Sequence, residues 1–491
     1  MIYYPNDMKI NNNFPNIVLI LISLLFIGIF YYVSLSRIGY PFELEWMEGG
    51  SVDHLERIIN GQPIYTPPSV EFIPYIYTPL YYYAAIPLTW IFGISVLPLR
   101  IVSLISTTLI FAFLFLFVKR ETRDMLFGFV SCGLFAAIFS LAGAWFDLAR
   151  VDMLFILLLL ISFYILRCYS NKTGFLIAAL FASLSFLTKQ TASLVFFPIL
   201  IYLFIYNRKL SWYFIVPFLS IVFGSTVYYS LLSDGWYYFW NFTLPADHRW
   251  TQKVFILFWT YDLIRPLSIL LLLTIVYFYL SRNLEESKFY IFFLGGAVLE
   301  SWLSRLHYGG YANVLIPVYL SIIILSMNGL SKLLEHIKTL ENNRSLSIFI
   351  CIIIIFQFAT LIYSPGKQIP SDEDKKAGWE LVYLLKQQKG DVYVIGNTYF
   401  ARLAGKKTFA HGLLIWDLMQ SSTRYNRDIE QRFNSYLNDK KFDLIIDYAG
   451  MNYPYLDSVY ENSGKAFKKD NLGWTITGYT TRPNSLYYPK K

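Results

Sequence analysis

LYYYAAIPLTWIFG, residues 80–93, is the stretch on which the topology turns. It is apolar throughout, yet a helix of that length rises only about 21 Å, short of the roughly 30 Å hydrocarbon core of a bilayer. It reads as an interfacial or re-entrant helix. Around it lie eleven longer apolar runs, at 16–36, 97–118, 125–143, 152–168, 174–188, 192–206, 211–232, 256–280, 288–304, 312–329 and 346–364. Their lengths reach or approach a spanning helix, with tilt or local thinning covering the shorter ones. Loop charge then decides the role of 80–93. If it does not cross, the links KRETR (119–123), RCYSNK (167–172), NRK (207–209), SRNLEESK (281–288) and the basic 332–344 link share one side. If it crosses, those basic loops face outward. The positive-inside rule therefore selects eleven spans with a cytoplasmic N-terminus. Lys9 is the only early basic residue and no small-residue cleavage site follows Ser36, so the first run reads as a retained span.

Composition agrees with a polytopic α-helical membrane protein. Of 491 residues, 56% are hydrophobic and only 15% charged, against about 25% charged in a soluble protein. The 40 tyrosines and 12 tryptophans suit the two membrane–water interfaces. The net charge of +8 lies mainly in the short links, where it sets sidedness; no nucleic-acid partner is expected. Cys132, Cys168 and Cys351 sit in or at the end of apolar runs, with no metal or disulfide spacing.

Residues 365–491 are a different kind of chain, polar and lysine-rich. GDVYVIGN (390–397) and FDLIIDYAG (442–450) read as strands, and 372–388 and 424–438 as helices. This predicts a small α/β domain on the outer side, a scaffold or an acceptor-side lid.

The outward loops carry the chemistry. FELEWMEGG (42–50) follows the first span and holds Glu43, Glu45 and Glu48 with no lysine or arginine among them. Uncompensated carboxylates at a membrane surface are costly to desolvate, so a use is expected for them. The same loop carries Asp53, Glu56 and a tyrosine- and proline-rich tract (63–83). GAWFDLARVD (143–152) supplies Asp147, Arg150 and Asp152, and FLTKQT (186–191) supplies Lys189. The next loops supply His248 and Arg249, then Arg305, His307 and Asn313. Cations can hold a phosphate and a carboxylate can take a proton from an attacking hydroxyl. Together they fit group transfer from a lipid-linked phosphate to an acceptor at the bilayer surface. Plainer readings stand beside this one. Arg150 is equally a partner for Asp147 or Asp152, and Asp53 and Arg57 are spaced i,i+4 as a surface pair. His248–Arg249 reads as an ordinary polar loop, Lys189 as a snorkelling lysine, and Tyr75, Tyr77 and Tyr81–Tyr83 as interfacial anchors.

The order of motifs resembles a known family. An acidic motif follows span one, then come NGQPIY (60–65), the Tyr/Pro tract, a short helix ending in FG, and Arg100 opening the next span. LARVDMLF (148–155), LTKQT (187–191) and RLHYGGYANVLIP (305–317) complete the series. This resembles the GT-C superfamily of membrane glycosyltransferases, with the protein O-mannosyltransferases and lipid A aminoarabinose transferases as nearer relatives. The resemblance covers residues 1–364, read as the transmembrane catalytic domain, and leaves 365–491 as an extracytoplasmic α/β domain. It implies a polyprenyl-phosphate-linked sugar donor, inversion at the anomeric carbon, and an acidic base in the first outward loop. Glu45 matches best by distance to Gly61, with Glu43 as the alternative and Glu48 in support one turn on. Asp152 matches the second acid, and Lys189, Arg305 and His307 match the ligands of the lipid phosphate.

The resemblance thus implies a transferase at the outer face of a bacterial inner membrane, with about eleven transmembrane helices and juxtamembrane helices in the first outward loop. The acceptor is a lipid, glycan or protein hydroxyl. No cofactor is required; the two acidic loops leave room for a divalent metal, but no ligand spacing demands one. Two other readings remain open, a transporter or flippase of a lipid-linked glycan, and a polymerase or ligase using a diphosphate-linked oligosaccharide. A transporter would carry charges near the midplane of its spans, and Glu300 is the notable in-span charge here.

Overall fold

The computed structural model describes residues 14–282, 285–339 and 343–491. Lys9 and parts of the 281–288 and 332–344 links lie outside the described residues. The first apolar run forms helix α1 (Phe14–Arg37), and the acidic motif leads into α2 (Glu48–Ile59). LYYYAAIPLTWIFG forms α3 (Leu80–Phe92), a 13-residue helix closed by Gly93 in a left-handed φ of 71°. Then follow α4 (Val96–Thr122), α5 (Met125–Ala137), α6 (Asp152–Cys168), α7 (Lys172–Thr188), α8 (Ala192–Tyr206) and α9 (Arg208–Leu232). A broken helical stretch over 236–247 precedes the helix Val254–Leu280 and the helices Glu285–Leu306, Ile316–Ile337 and Asn343–Thr360.

Among the described residues, five helices are long and apolar enough to cross a bilayer: α1, α4, α9, Val254–Leu280 and Ala312–Ile337. A sixth arises if Ser345–Thr360 and Pro365–Lys386, bent by 45°, count as one span. Each of the eleven predicted runs forms a helix, and those other than these five fall short in length or in apolarity. One run is cut short by a turn: 125–143 ends as a helix at Ala137, and the chain reverses through Gly143 and Ala144, both at positive φ. The helices of 13–17 residues pack against longer ones. The pillar of the bundle is Ile316–Ile337, apolar nearly all round and therefore buried. At Gly329 a Cβ would lie 2.0 Å from the Leu273 carbonyl oxygen, so only glycine permits that close helix crossing.

The C-terminal part holds the predicted elements: helices Asp372–Lys386 and Tyr425–Asn438, and strands β1 (Asp391–Val394) and β2 (Phe442–Tyr448). Two more strands, β3 (Tyr460–Lys465) and β4 (Pro483–Pro489), complete a sheet of order β1-β2-β4-β3. Only β1 and β2 pair in parallel. This part shares its core with the first loop. Phe42 packs among Leu381, Leu385 and Phe400, and Trp46, Tyr65 and Tyr75 belong to one apolar cluster with Tyr393, Ile415 and Phe442. Tyr75, Tyr81 and Tyr82 are accordingly buried rather than interfacial anchors, whereas Tyr83 remains exposed.

Candidate active site

Two buried ion pairs set the frame. Arg37, at the end of α1, grips Asp147 through Nε–Oδ2 at 2.7 Å and a second contact from Nη2 to Oδ1, and donates to the Ala144 carbonyl at 2.7 Å. Arg100, in the first turns of α4, donates to Glu48 at 2.9 Å and 2.6 Å and to the carbonyls of Tyr40 and Phe42 at 2.7 Å each. The N–H groups of Leu44 and Ala149 also donate to Glu48, at 2.7 Å and 2.8 Å. These contacts fasten 38–48 to the 144–152 loop. All four charged side chains are fully buried.

The frame brings Glu45 into contact with Arg150 and sets Asp152 within electrostatic reach of the same guanidinium. Arg150 Nη1 lies 3.2 Å from Glu45 Oε2, and Nη2 donates to the Tyr77 hydroxyl at 2.9 Å. Its guanidinium stands over the rings of Trp145 and Tyr77, at 5.4 Å and 5.5 Å. The Trp145 indole N–H donates to Asp152 Oδ2 at 2.8 Å, while Lys189 Nζ and Asn313 Nδ2 donate to Asp152 Oδ1, each at 3.0 Å. Glu300 is buried beside this group, accepting from Thr191 at 2.8 Å. The structure thus assembles Glu45, Arg150, Asp152, Lys189 and Asn313 from four stretches of chain, Arg150 and Asp152 sharing one loop.

The three glutamates of the acidic motif at 42–50 differ in charge state. Burial pushes the Glu45 carboxyl up to about 7, even with Arg150 alongside. Burial also drives Glu43 well above the usual range; it accepts from the Gly49 N–H at 3.1 Å, and its Oε2 has no partner among the described residues. For Glu48 burial acts upward too, but the Arg100 guanidinium and the two amide donors outweigh it and hold the carboxyl below its ordinary value.

Other predicted residues fall elsewhere. Glu48 and Asp147 are occupied by their buried arginines rather than open to a ligand. Arg305 pairs with Asp262 at 2.9 Å. His248 stands 3.6 Å from Asp417, and its ring is 6.0 Å from that of His307. Burial lowers both histidines, and the His307 Nδ1 has no partner among the described residues. Arg249 is exposed beside them. Two local pairings are corrected. Arg150 joins Glu45, 105 residues away, not Asp147 or Asp152. Asp53 pairs with Arg402 at 2.8 Å rather than Arg57, whose Nε instead donates to the Pro63 carbonyl at 2.9 Å. The sequence reading missed Arg37, Trp145 and Asp417; a lone arginine ending an apolar run was the available signal for the first. No three His, Cys, Asp or Glu side chains converge as a metal site among the described residues.

An acidic loop residue and a second acid, both beside cations at one end of a helical bundle that carries a small α/β part, define a fold class. This is the fold of the GT-C membrane glycosyltransferases. The structure is similar to that of ArnT from Cupriavidus metallidurans bound to undecaprenyl phosphate, with a TM-score of 0.59 at 10% identity, covering 96% of this chain and 97% of that one. It is also similar to the archaeal oligosaccharyltransferase AglB from Archaeoglobus fulgidus, in complex with an inhibitory peptide and a dolichol-phosphate. There the TM-score is 0.53 at 10% identity, covering 92% of this chain and 73% of that one. By sequence, the dolichyl-phosphate-mannose-protein mannosyltransferase family matches residues 77–231. No curated protein matches.

Proposed function

We propose that the chain is an inverting glycosyltransferase that moves a sugar from a polyprenyl-phosphate-linked donor to an acceptor hydroxyl at the outer face of a bacterial inner membrane. The observation that carries this reading is Glu45: a buried carboxyl in contact with Arg150, raised to about 7 by burial, in a site that also holds the Asp152–Lys189 pair. A base works best when its pKa lies near the operating pH. Glu45 accepts the proton of the acceptor hydroxyl as that oxygen bonds to the sugar's C1. The C1–oxygen bond to the lipid phosphate breaks on the opposite face, which inverts the centre. The phosphate departs with the electron pair, and the Lys189 ammonium, with Arg150, stabilises its growing charge. Asp152 orients Lys189 and Asn313 for that task. The likeness to ArnT bound to undecaprenyl phosphate supports a lipid-phosphate donor. The acceptor is a lipid, glycan or protein, and the sugar a hexose or pentose.

The test is transfer by purified protein from a panel of polyprenyl-monophosphate sugars, with a diphosphate-linked oligosaccharide as a second arm. Wild type should transfer from a monophosphate donor, and Glu45→Gln should lose about 10²–10⁴-fold in rate. Undiminished transfer by Glu45→Gln would remove it as the base and pass the role to Glu43, tested as Glu43→Gln.

A further inference from the structure

Glu45 is only 1% exposed, and part of what covers it comes from the far end of the chain. The loop 475–481, between β3 and β4, is closed on itself: the Thr475 N–H donates to the Thr481 carbonyl at 2.9 Å, and the Thr481 N–H to Thr475 Oγ1 at 3.1 Å. Its tip lies along the acidic motif. The N–H groups of Ile476 and Thr477 donate to the Leu44 carbonyl at 2.8 Å and 3.3 Å, and Thr477 bridges Glu45 in parallel register. Gly478 follows with a φ of 75°, and a Cβ there would lie 2.8 Å from Glu45 Cγ and 2.9 Å from Oε1. Only glycine lets the loop rest against that carboxylate.

Thr477 also reaches the second acidic loop. Its hydroxyl donates to the Gly143 carbonyl, two residues before Trp145, which holds Asp152. It lies 3.4 Å from the Tyr311 hydroxyl, two residues before Asn313, which also holds Asp152. One buried threonine therefore touches the backbone beside Glu45 and both segments that aim Asp152.

We propose that Thr477 is a positioning residue of the transfer reaction. It clamps the two acid-bearing loops in register, with Gly478 as the cover that seats against Glu45. The C-terminal part is then a component of the active site rather than a separate appendage. Its role in rate rests on the function proposed above; its role in placing Glu45 does not.

Thr477→Val keeps shape and removes the hydroxyl. It should lower kcat by about ten-fold, through misplacement of the acids, with KM little changed. The pH at which kcat/KM rises should move, and Thr477→Ser should restore both. Tm should fall by no more than about 2–4 °C. Gly478→Ala should lower kcat further. Unchanged kinetics in Thr477→Val, with Glu45→Gln inactive, would overturn the proposal and leave the transferase reading standing. Equal losses of Tm and activity in Thr477→Val and Thr477→Ser would also overturn it. If transfer proves independent of Glu45, labelling decides alone. Cysteine at 45 (Glu45→Cys) should react with a membrane-impermeant thiol reagent faster when combined with Thr477→Val, against a Glu45-intact control for the native cysteines. Equal labelling rates would refute the clamp.

Discussion

Glu45 and Glu48 are three residues apart, both buried and both paired with an arginine, yet they occupy opposite electrostatic regimes. Glu48 accepts two bonds from Arg100 and two from backbone amides, and its carboxyl is held below the ordinary range. Glu45 has one contact from Arg150 and one from the Met47 N–H, both at 3.2 Å, and burial lifts it to about 7. Burial penalises both carboxylates, and the number and fit of the donors decides which one stays an anion. A saturated carboxylate fixes structure. An undersatisfied one is left able to exchange a proton.

The largest expected effect breaks the saturated side. Arg100→Met leaves Glu48 buried without its cation, and such truncations cost about 3–5 kcal/mol, comparable with much of a domain's stability. Little folded protein should survive extraction, as measured by monodisperse yield and thermal unfolding. Normal yield and Tm would show that Glu48 does not depend on Arg100. Glu45→Gln is the opposite case. It should fold with a Tm no lower than that of wild type while losing about 10²–10⁴-fold in transfer. A variant that fails to fold would place Glu45 in the same class as Glu48.

Arg150 acts on the undersatisfied side of the comparison. Its charge lowers the Glu45 carboxyl against the effect of burial. Arg150→Met should therefore move the rise of kcat/KM with pH to higher pH, with Arg150→Lys intermediate because it keeps the charge but not the planar fork. The shape of the normalised pH profile checks this whatever happens to the absolute rate. A limb that stays in place would mean that another group sets it.

The acids were legible in the sequence because nothing nearby neutralised them; their partners were not. Arg100 lies 52 residues from Glu48 and Arg150 lies 105 from Glu45, so the pairing is created only when α4 and the 143–152 loop close on the motif. Helices α6 and α8 begin and end where their apolar runs do, at 152–168 and 192–206, because polar residues bound them at both ends. Strands β3 and β4 gave no signal. YENSGK exposes five of its six residues and PNSLYYP starts and ends in proline, so neither shows the alternation of a half-buried strand. The shared core was equally hidden. Tyr65 and Tyr75 belong to a tract whose aromatic content suits a membrane interface, and only the fold puts them against the sheet.

The smallest effect concerns stability rather than rate, and it sharpens the contrast between the two glutamates. The unfolded Glu45 carboxyl releases its proton near 4.5, the folded one near 7. Between those values the folded state binds more protons, so this group's contribution to stability falls as pH rises. Below 4.5 both states are protonated and there is no penalty; above 7 both are ionised and the penalty is complete. Glutamine carries no such penalty. The difference in unfolding free energy between Glu45→Gln and wild type should therefore grow in the variant's favour from pH 4.5 to pH 7, by roughly 1–3 kcal/mol, and then level off, as read from denaturation at each pH. Glu48→Gln should show the opposite sign, losing ground to wild type as pH rises, because its folded carboxyl is held low. A parallel pH trend in the two variants would mean that donor count does not separate these carboxylates.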